Sequence, residues 1–148
     1  SQKVTSQSRC EGCLCWILRR TQQPQGSRNP SHRLHSKKEV LINLIDNSIK
    51  YSKKSEVEIT IRSLCDKKNN IIKIRDNGIG ISSKDQKIIF KKYEKASALK
   101  RTLKQKGIPG YGLGLYYVNK IIQAHEGQIF VESVVGEYTE FTILIPKI

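Results

Sequence analysis

Gly110-Tyr111-Gly112-Leu113-Gly114-Leu115 runs straight into Tyr116-Tyr117-Val118-Asn119-Lys120-Ile121-Ile122. Three glycines at alternate positions open a segment with the apolar spacing of an amphipathic helix. Glycine lets backbone N–H groups approach a ligand closely. The first turn of a helix adds unpaired N–H donors and partial positive charge, so this junction suits a phosphate group. The spacing is not the dinucleotide fingerprint, and no Gly-x-x-x-x-Gly-Lys-Ser/Thr occurs in the chain. The catalytic and metal-binding tripeptides of protein kinases are missing too. A glycine-rich turn before a helix is also common without any ligand, so what stands upstream decides the reading.

Upstream, Val40, Leu41, Leu44, Ile45 and Ile49 fall at helical spacing within Lys37–Tyr51, with Ser36 placed to cap that helix. The opposite stripe carries Glu39, Asn43, Asn47 and Lys50. Asparagine is a mediocre helix former, so a pair of them one turn apart is either simple exposure or a polar site. Val57-Glu58-Ile59-Thr60-Ile61-Arg62 alternates as a half-buried strand. Asp66-Lys67-Lys68-Asn69-Asn70 has turn chemistry, and Ile71 to Arg75 returns as a second strand. That strand ends in Asp76-Asn77-Gly78-Ile79-Gly80-Ile81, either a plain turn or a carboxylate offered beside close-approaching backbone.

Further on, Ser83 and Gln86 have the spacing of a capping box for a short helix that turns Ile88, Ile89 and Phe90 inward. From Lys91 to Pro109 the chain is aperiodic and lysine-rich, as expected of a functional lid or a disordered loop. The helix after the glycine-rich turn extends to about His125, with Gly127 as its C-cap. Gln128–Val134 and Thr139–Ile145 read as two more strands. The sum is an α/β two-layer sandwich, a mixed sheet covered on one face by helices.

The chain has 148 residues, 37% of them hydrophobic, with a net charge of +14. That is enough for one domain with a core, and the charge favours anionic ligands or partners. No apolar run has the length of a membrane span and no signal peptide is evident. Residues 1–35 are unlike the rest: polar, basic and rich in Ser, Gln, Pro and Gly. They read as an atypical linker or tail with one short strand near Cys13–Arg19. Of the four cysteines, Cys10, Cys13 and Cys15 crowd this segment and Cys65 stands apart, an arrangement expected of reduced thiols in a cytoplasmic protein. Together with His32 and His35 the cluster lacks the usual spacing of a zinc site. Aromatics interleaved with the basic stretches are missing, so no nucleic-acid partner is expected.

Taken together the pieces resemble the ATP-binding catalytic domain of sensor histidine kinases, within the GHKL ATPase superfamily and its Bergerat-type fold. The asparagine motif is Asn43-Leu44-Ile45-Asp46-Asn47-Ser48-Ile49-Lys50-Tyr51. The first glycine motif is Asp76 to Ile81, the phenylalanine motif Ile89-Phe90-Lys91-Lys92-Tyr93, the second glycine motif Gly110 to Leu115, and a last motif spans Gly136 to Phe141. They stand in family order across residues 36–148, and residues 1–35 do not share them.

The resemblance implies Mg²⁺ and ATP as cofactors. It makes Asn47 the Mg²⁺ ligand, Asn43 its support one turn away, Lys50 the cation that reaches the phosphates and Tyr51 a neighbour of the nucleotide. Asp76 would accept a hydrogen bond from the adenine amino group, with Gly78, Gly80 and Ile81 passing close to the base and Thr139 beside it. Gly110, Tyr111, Gly112, Leu113, Gly114 and Leu115 would form the hinge and phosphate-facing turn of the ATP lid. Lys95 falls near the family's lid arginine; a lysine there keeps the charge and loses the bidentate fork. Asn43 takes the place where ATP-hydrolysing branches of the superfamily usually carry a glutamate base, which favours transfer to an imidazole.

Tyr138 departs from the family's last motif, where glycine is usual. His32, His35 and His125 lack the context of a phosphoacceptor histidine. The chain therefore reads as a catalytic half that would work with a dimerisation and phosphoacceptor histidine domain, and through it with a response regulator. A membrane enters only through a parent sensor. The alternative is a nucleotide-binding regulatory module of the same fold that transfers nothing.

Overall fold

The computed structural model describes residues 2–8, 31–52, 55–94 and 113–147. Strand β1 (Gln2–Ser8) is followed by helix α1 (Ser31–Lys50), strands β2 (Val57–Cys65) and β3 (Asn69–Asp76), and the short helix α2 (Ser83–Gln86). Helix α3 (Gly114–Ala124) and strands β4 (Gln128–Val134) and β5 (Tyr138–Pro146) complete the order. The strands form one sheet in the order β1-β2-β3-β5-β4, with β1 parallel to β2 and every other pair antiparallel. This is the expected mixed sheet.

Alternation along the strands builds the core. Register aligns Ser63, Ile72, Ile143 and Ile129 in one row and Ile61, Ile74, Phe141 and Val131 in the next. These rows meet Val40 and Leu44 of α1 and Val118 and Ile122 of α3 in a single buried cluster. The outer face is charged: Arg75 lies 3.6 Å over the Tyr138 ring, and both Lys73 and Arg75 approach Glu140. The β2–β3 turn is set by Asp66, whose Oδ1 accepts from the backbone N–H of Lys68 at 2.7 Å and of Asn69 at 2.6 Å.

The structure departs from the sequence reading in several places. Helix α1 starts at Ser31, so Ser36 lies inside it and is not its cap. Strand β1 lies within the segment read as a tail, while the strand sought near Cys13–Arg19 falls outside the described residues. Cys65 is disulfide-bonded, against the expectation of reduced thiols. The cap of α2 is Ser82, one residue before the expected Ser83; its Oγ accepts from Asp85 N and donates to Asp85 Oδ2. Gln86 is thereby released for another task, described below.

Gly127 does not supply the left-handed residue at the end of α3. Glu126 does, at φ 58°, and the chain closes with Glu126 N–H on Gln123 O and Gly127 N–H on Ile122 O. Gly127 is instead required for close approach, because a Cβ there would lie 2.6 Å from Leu144 O. The neighbouring substitutions are expected to have opposite signs. Glu126→Gly relieves the left-handed cost and raises stability by about 1 kcal/mol, whereas Gly127→Ala lowers it by at least ~1 kcal/mol through overpacking. Denaturant midpoints of the two variants check this.

Candidate nucleotide-binding site

A cleft opens between α1, the loop after β3, the start of α3 and strand β5. Asn47 and Tyr51 line it from α1, Asp76, Ile79, Gly80 and Ile81 from the end of β3 and its loop. Leu115 lines it from α3, Thr139 and Phe141 from β5. The walls are mostly apolar with a few converging polar groups, the usual make-up of a small-molecule site.

Asp76 is the centre of this arrangement. It is only 7% exposed, yet both carboxyl oxygens are engaged: Oδ1 accepts from Gly78 N–H at 2.8 Å and Oδ2 from the Ser48 hydroxyl at 2.9 Å. Burial pushes its pKa above the ordinary aspartate value, against the pull of those two hydrogen bonds. Burial likewise raises the Tyr51 phenol, with a smaller contribution from the Asp46 charge.

The loop beneath is clamped to the β4–β5 hairpin. Gly80 takes φ 71°, and a Cβ there would lie 2.2 Å from Val134 O. Gly136 N–H donates to Ile79 O at 2.7 Å, and Ile81 N–H to Ser133 Oγ at 2.8 Å. Ser133 Oγ in turn donates to Tyr138 O at 2.6 Å and lies 3.0 Å from Thr139 Oγ1. Gln86 Nε2 bonds both Ile81 O and Ser133 O, so α2 is tied to the same junction. Tyr138, where the sequence departs from its pattern, turns to the outer face and donates its hydroxyl proton to Glu132 Oε1, clear of the cleft.

At the other end, Asn43 Nδ2 donates to Glu39 O at 2.8 Å. A Cβ on Gly114 would lie 3.2 Å from Asn43 Oδ1, so the asparagine's carbonyl oxygen faces the first residue of α3. The structure therefore brings Asn43, Asn47, Tyr51, Asp76, Gly78, Gly80, Ile81, Gly114, Leu115 and Thr139 together. Leu113 caps α3 without a side-chain bond. Lys50 does not line the cleft; its Nζ lies 2.6 Å from Asp46 Oδ2 on the surface of α1. Lys95, Gly110, Tyr111 and Gly112, and with them most of the expected lid, lie outside the described residues. Sequence reasoning missed Ser48, Ser133 and Gln86. The first was legible as a hydroxyl one turn from the helix end, facing the strand that ends in Asp76; the others depend on pairing across the sheet.

The family model for histidine kinase-, DNA gyrase B- and HSP90-like ATPases matches residues 35–148. The chain belongs to that family. Among curated relatives it is 39% identical to sensor protein RprX of Bacteroides fragilis over 108 residues, 72% of this chain and 20% of that protein. It is 38% identical to sensor protein SrrB of Staphylococcus aureus over 109 residues, 74% of this chain and 18% of that one. The chain thus spans about a fifth of the length of these relatives. Among solved structures, a mycobacterial sensor histidine kinase, MprB, superposes with a TM-score of 0.70 at 18% identity, covering 98% of this chain and 83% of that one. The catalytic domain of histidine kinase ThkA gives 0.69 at 22%, covering 99% and 80%. These two likenesses concern the fold. By its sequence relatives the chain carries an ATP-binding catalytic domain of the sensor histidine kinase type.

On the expectation that the cleft takes the ATP that this family binds, with its base at Asp76, two substitutions test the site. Asp76→Asn removes a charge-assisted acceptor, a loss of about 1.5–3 kcal/mol, or roughly tenfold to over a hundredfold in ATP affinity. Calorimetric titration of the folded variant checks this. Gly80→Ala is expected to weaken ATP binding as well, by displacing the loop from Val134.

Proposed function

We propose that this domain holds Mg·ATP and presents the γ-phosphoryl group to a histidine on a separate dimerisation and phosphoacceptor domain, which would pass it to a response regulator. The observation that carries the reading is the pairing of a buried, hydrogen-bonded Asp76 at one end of the cleft with the Asn43–Asn47 stripe and the start of α3 at the other. The base end fixes the nucleotide, and the asparagine end faces the phosphates.

The donor set suits a hard cation. Asn47 lines the cleft and carries an amide oxygen, and Asn43, with one NH₂ hydrogen bonded to Glu39 O, turns its own oxygen towards α3. When bound, Mg²⁺ supplies charge neutralisation at the phosphates. Asn47 would hold it and Asn43 support it. Lys50 would add a cation at the phosphates after leaving Asp46, an exposed pair of the kind that contributes little. The unpaired N–H groups at the start of α3 favour phosphate oxygens. Catalysis is then chiefly positioning and charge stabilisation, as in phosphoryl transfer generally. The setting is the cytoplasmic side of a parent sensor; among the described residues no helix is long and apolar enough to cross a membrane.

Two outcomes are expected. With labelled ATP and the separate acceptor domain of its parent kinase, the chain produces an acid-labile, base-stable phosphoryl linkage on that domain and very little on itself. ATP binding without such transfer at saturating concentrations of both proteins would instead favour the regulatory module. Asn47→Ala should abolish the Mg²⁺ dependence of ATP binding; an unchanged response to Mg²⁺ would remove Asn47 as the ligand.

A further inference from the structure

Ser48 has no part in the reading so far, yet it is 3% exposed and is the one side chain bonded to the Asp76 carboxyl in the described residues. It stands on α1 directly after Asn47. Its Oγ lies 2.9 Å from Asp76 Oδ2 and 3.0 Å from Leu44 O. A hydroxyl has a single proton and cannot donate to both acceptors at once. Two arrangements satisfy the distances. With Asp76 ionised, Ser48 donates to Oδ2, a charge-assisted bond and the stronger of its two options. With Asp76 protonated, the carboxyl donates to Ser48 Oγ and Ser48 turns its proton to Leu44 O.

The surroundings leave this choice to Ser48. Facing Asp76 are Tyr51 and Ser48 from α1, the Gly78 N–H from the loop, and its register partners Ile59 of β2 and Thr139 of β5. None is charged at neutral pH, so among the described residues burial opposes the carboxylate and the Gly78 and Ser48 hydrogen bonds are what support it. Gly78 N–H holds Oδ1; Ser48 alone holds Oδ2. A carboxylate pinned at both oxygens offers only acceptor lone pairs to the cleft, which suits an amino group on a base. A carboxyl freed at Oδ2 can protonate and rotate, and then also offers a donor, which suits a base carrying a carbonyl.

We infer that Ser48 is a positioning residue that fixes Asp76 as a pure acceptor and so sets the preference for adenine over guanine. The inference rests on Asp76 being the residue that reads the base. The sign of the pH effect follows. Binding of an amino group requires the ionised form, so ATP affinity falls as pH drops through the raised Asp76 pKa of the free protein. Loss of the Ser48 bond raises that pKa further and moves the fall to higher pH.

The test is calorimetric titration of the full chain with Mg·ATP and Mg·GTP between about pH 5 and about pH 8, for the wild type, Ser48→Ala, Ser48→Thr and Asp76→Asn. Ser48→Ala is expected to weaken ATP binding roughly three- to tenfold near neutral pH, to move the acid fall upward, and to narrow the ATP-to-GTP ratio. Ser48→Thr keeps the hydroxyl and restores all three. Comparing variants cancels the titration of the nucleotide itself. A Ser48→Ala protein whose pH profile and ATP-to-GTP ratio match the wild type, while Asp76→Asn has lost ATP, overturns the role of Ser48 and leaves that of Asp76. So does an equal loss for both nucleotides at every pH, the mark of a merely structural defect. If Asp76→Asn binds ATP like the wild type, the base reading fails and the inference with it.

Discussion

The backbone of the loop after β3 lies against the carbonyl of Val134, nearer than any side chain would allow, and the site depends on that contact. Gly80 at φ 71° is what permits it. Once the loop is down, two of its polar groups find partners on the same hairpin, Ile79 O with Gly136 N–H and Ile81 N–H with Ser133 Oγ, while Ile79 N–H donates to Tyr51 O of α1. Gln86 closes the arrangement from α2. Buried backbone groups of an irregular segment have to be satisfied somewhere. Here the β4–β5 hairpin, Gln86 of α2 and Tyr51 O of α1 satisfy them, which fixes the floor of the cleft rigidly to three elements.

Rigidity matters because the floor carries a buried carboxyl. Asp76 ends β3 between Ile59 and Thr139 in register, and among the described residues no cation is paired with it. Such a group is held by hydrogen bonds or it neutralises. The Gly78 N–H is available only because the loop turns immediately after the strand, and the Ser48 hydroxyl only because α1 packs its inner face over that strand. Helix packing, sheet register and loop geometry thus converge on one side chain, so a shift in any of them is felt at Asp76.

The strands were legible because period-two alternation survives wherever one face of a sheet is buried, as along Val57–Ile61 and Phe141–Ile145. The body of α1 was legible for the same reason at helical spacing. Ends were not. Ser82 and Ser83 are indistinguishable as cap candidates, and it is the extended backbone at Ser82 that decides between them. Gly127 and Glu126 were reversed because propensity assigns the left-handed residue to glycine, while here the scarcer resource is space beside Leu144 O. Strand β1 carries only Val4 as a large apolar residue, exposed at the sheet edge, so no pattern announces it. The Asp76 end of the cleft was readable through the aspartate and its glycines. The clamp of Ser133 and Gln86 was not, because those residues meet across 47 positions of sequence and nothing local records it.

The asparagine stripe has a consequence for the kind of chemistry the cleft can support. Attack by water on a phosphoanhydride benefits from a nearby base, and an amide cannot take up a proton at neutral pH. In Asn43 the constraint is doubled: its NH₂ is bound to Glu39 O, and its oxygen is turned towards α3. The side chain can accept a hydrogen bond or a metal and can donate its second amide hydrogen, but it cannot act as a base. A nucleophile that brings its own lone pair, as a neutral imidazole does, has no need of a base in the cleft, whereas water and serine hydroxyls do.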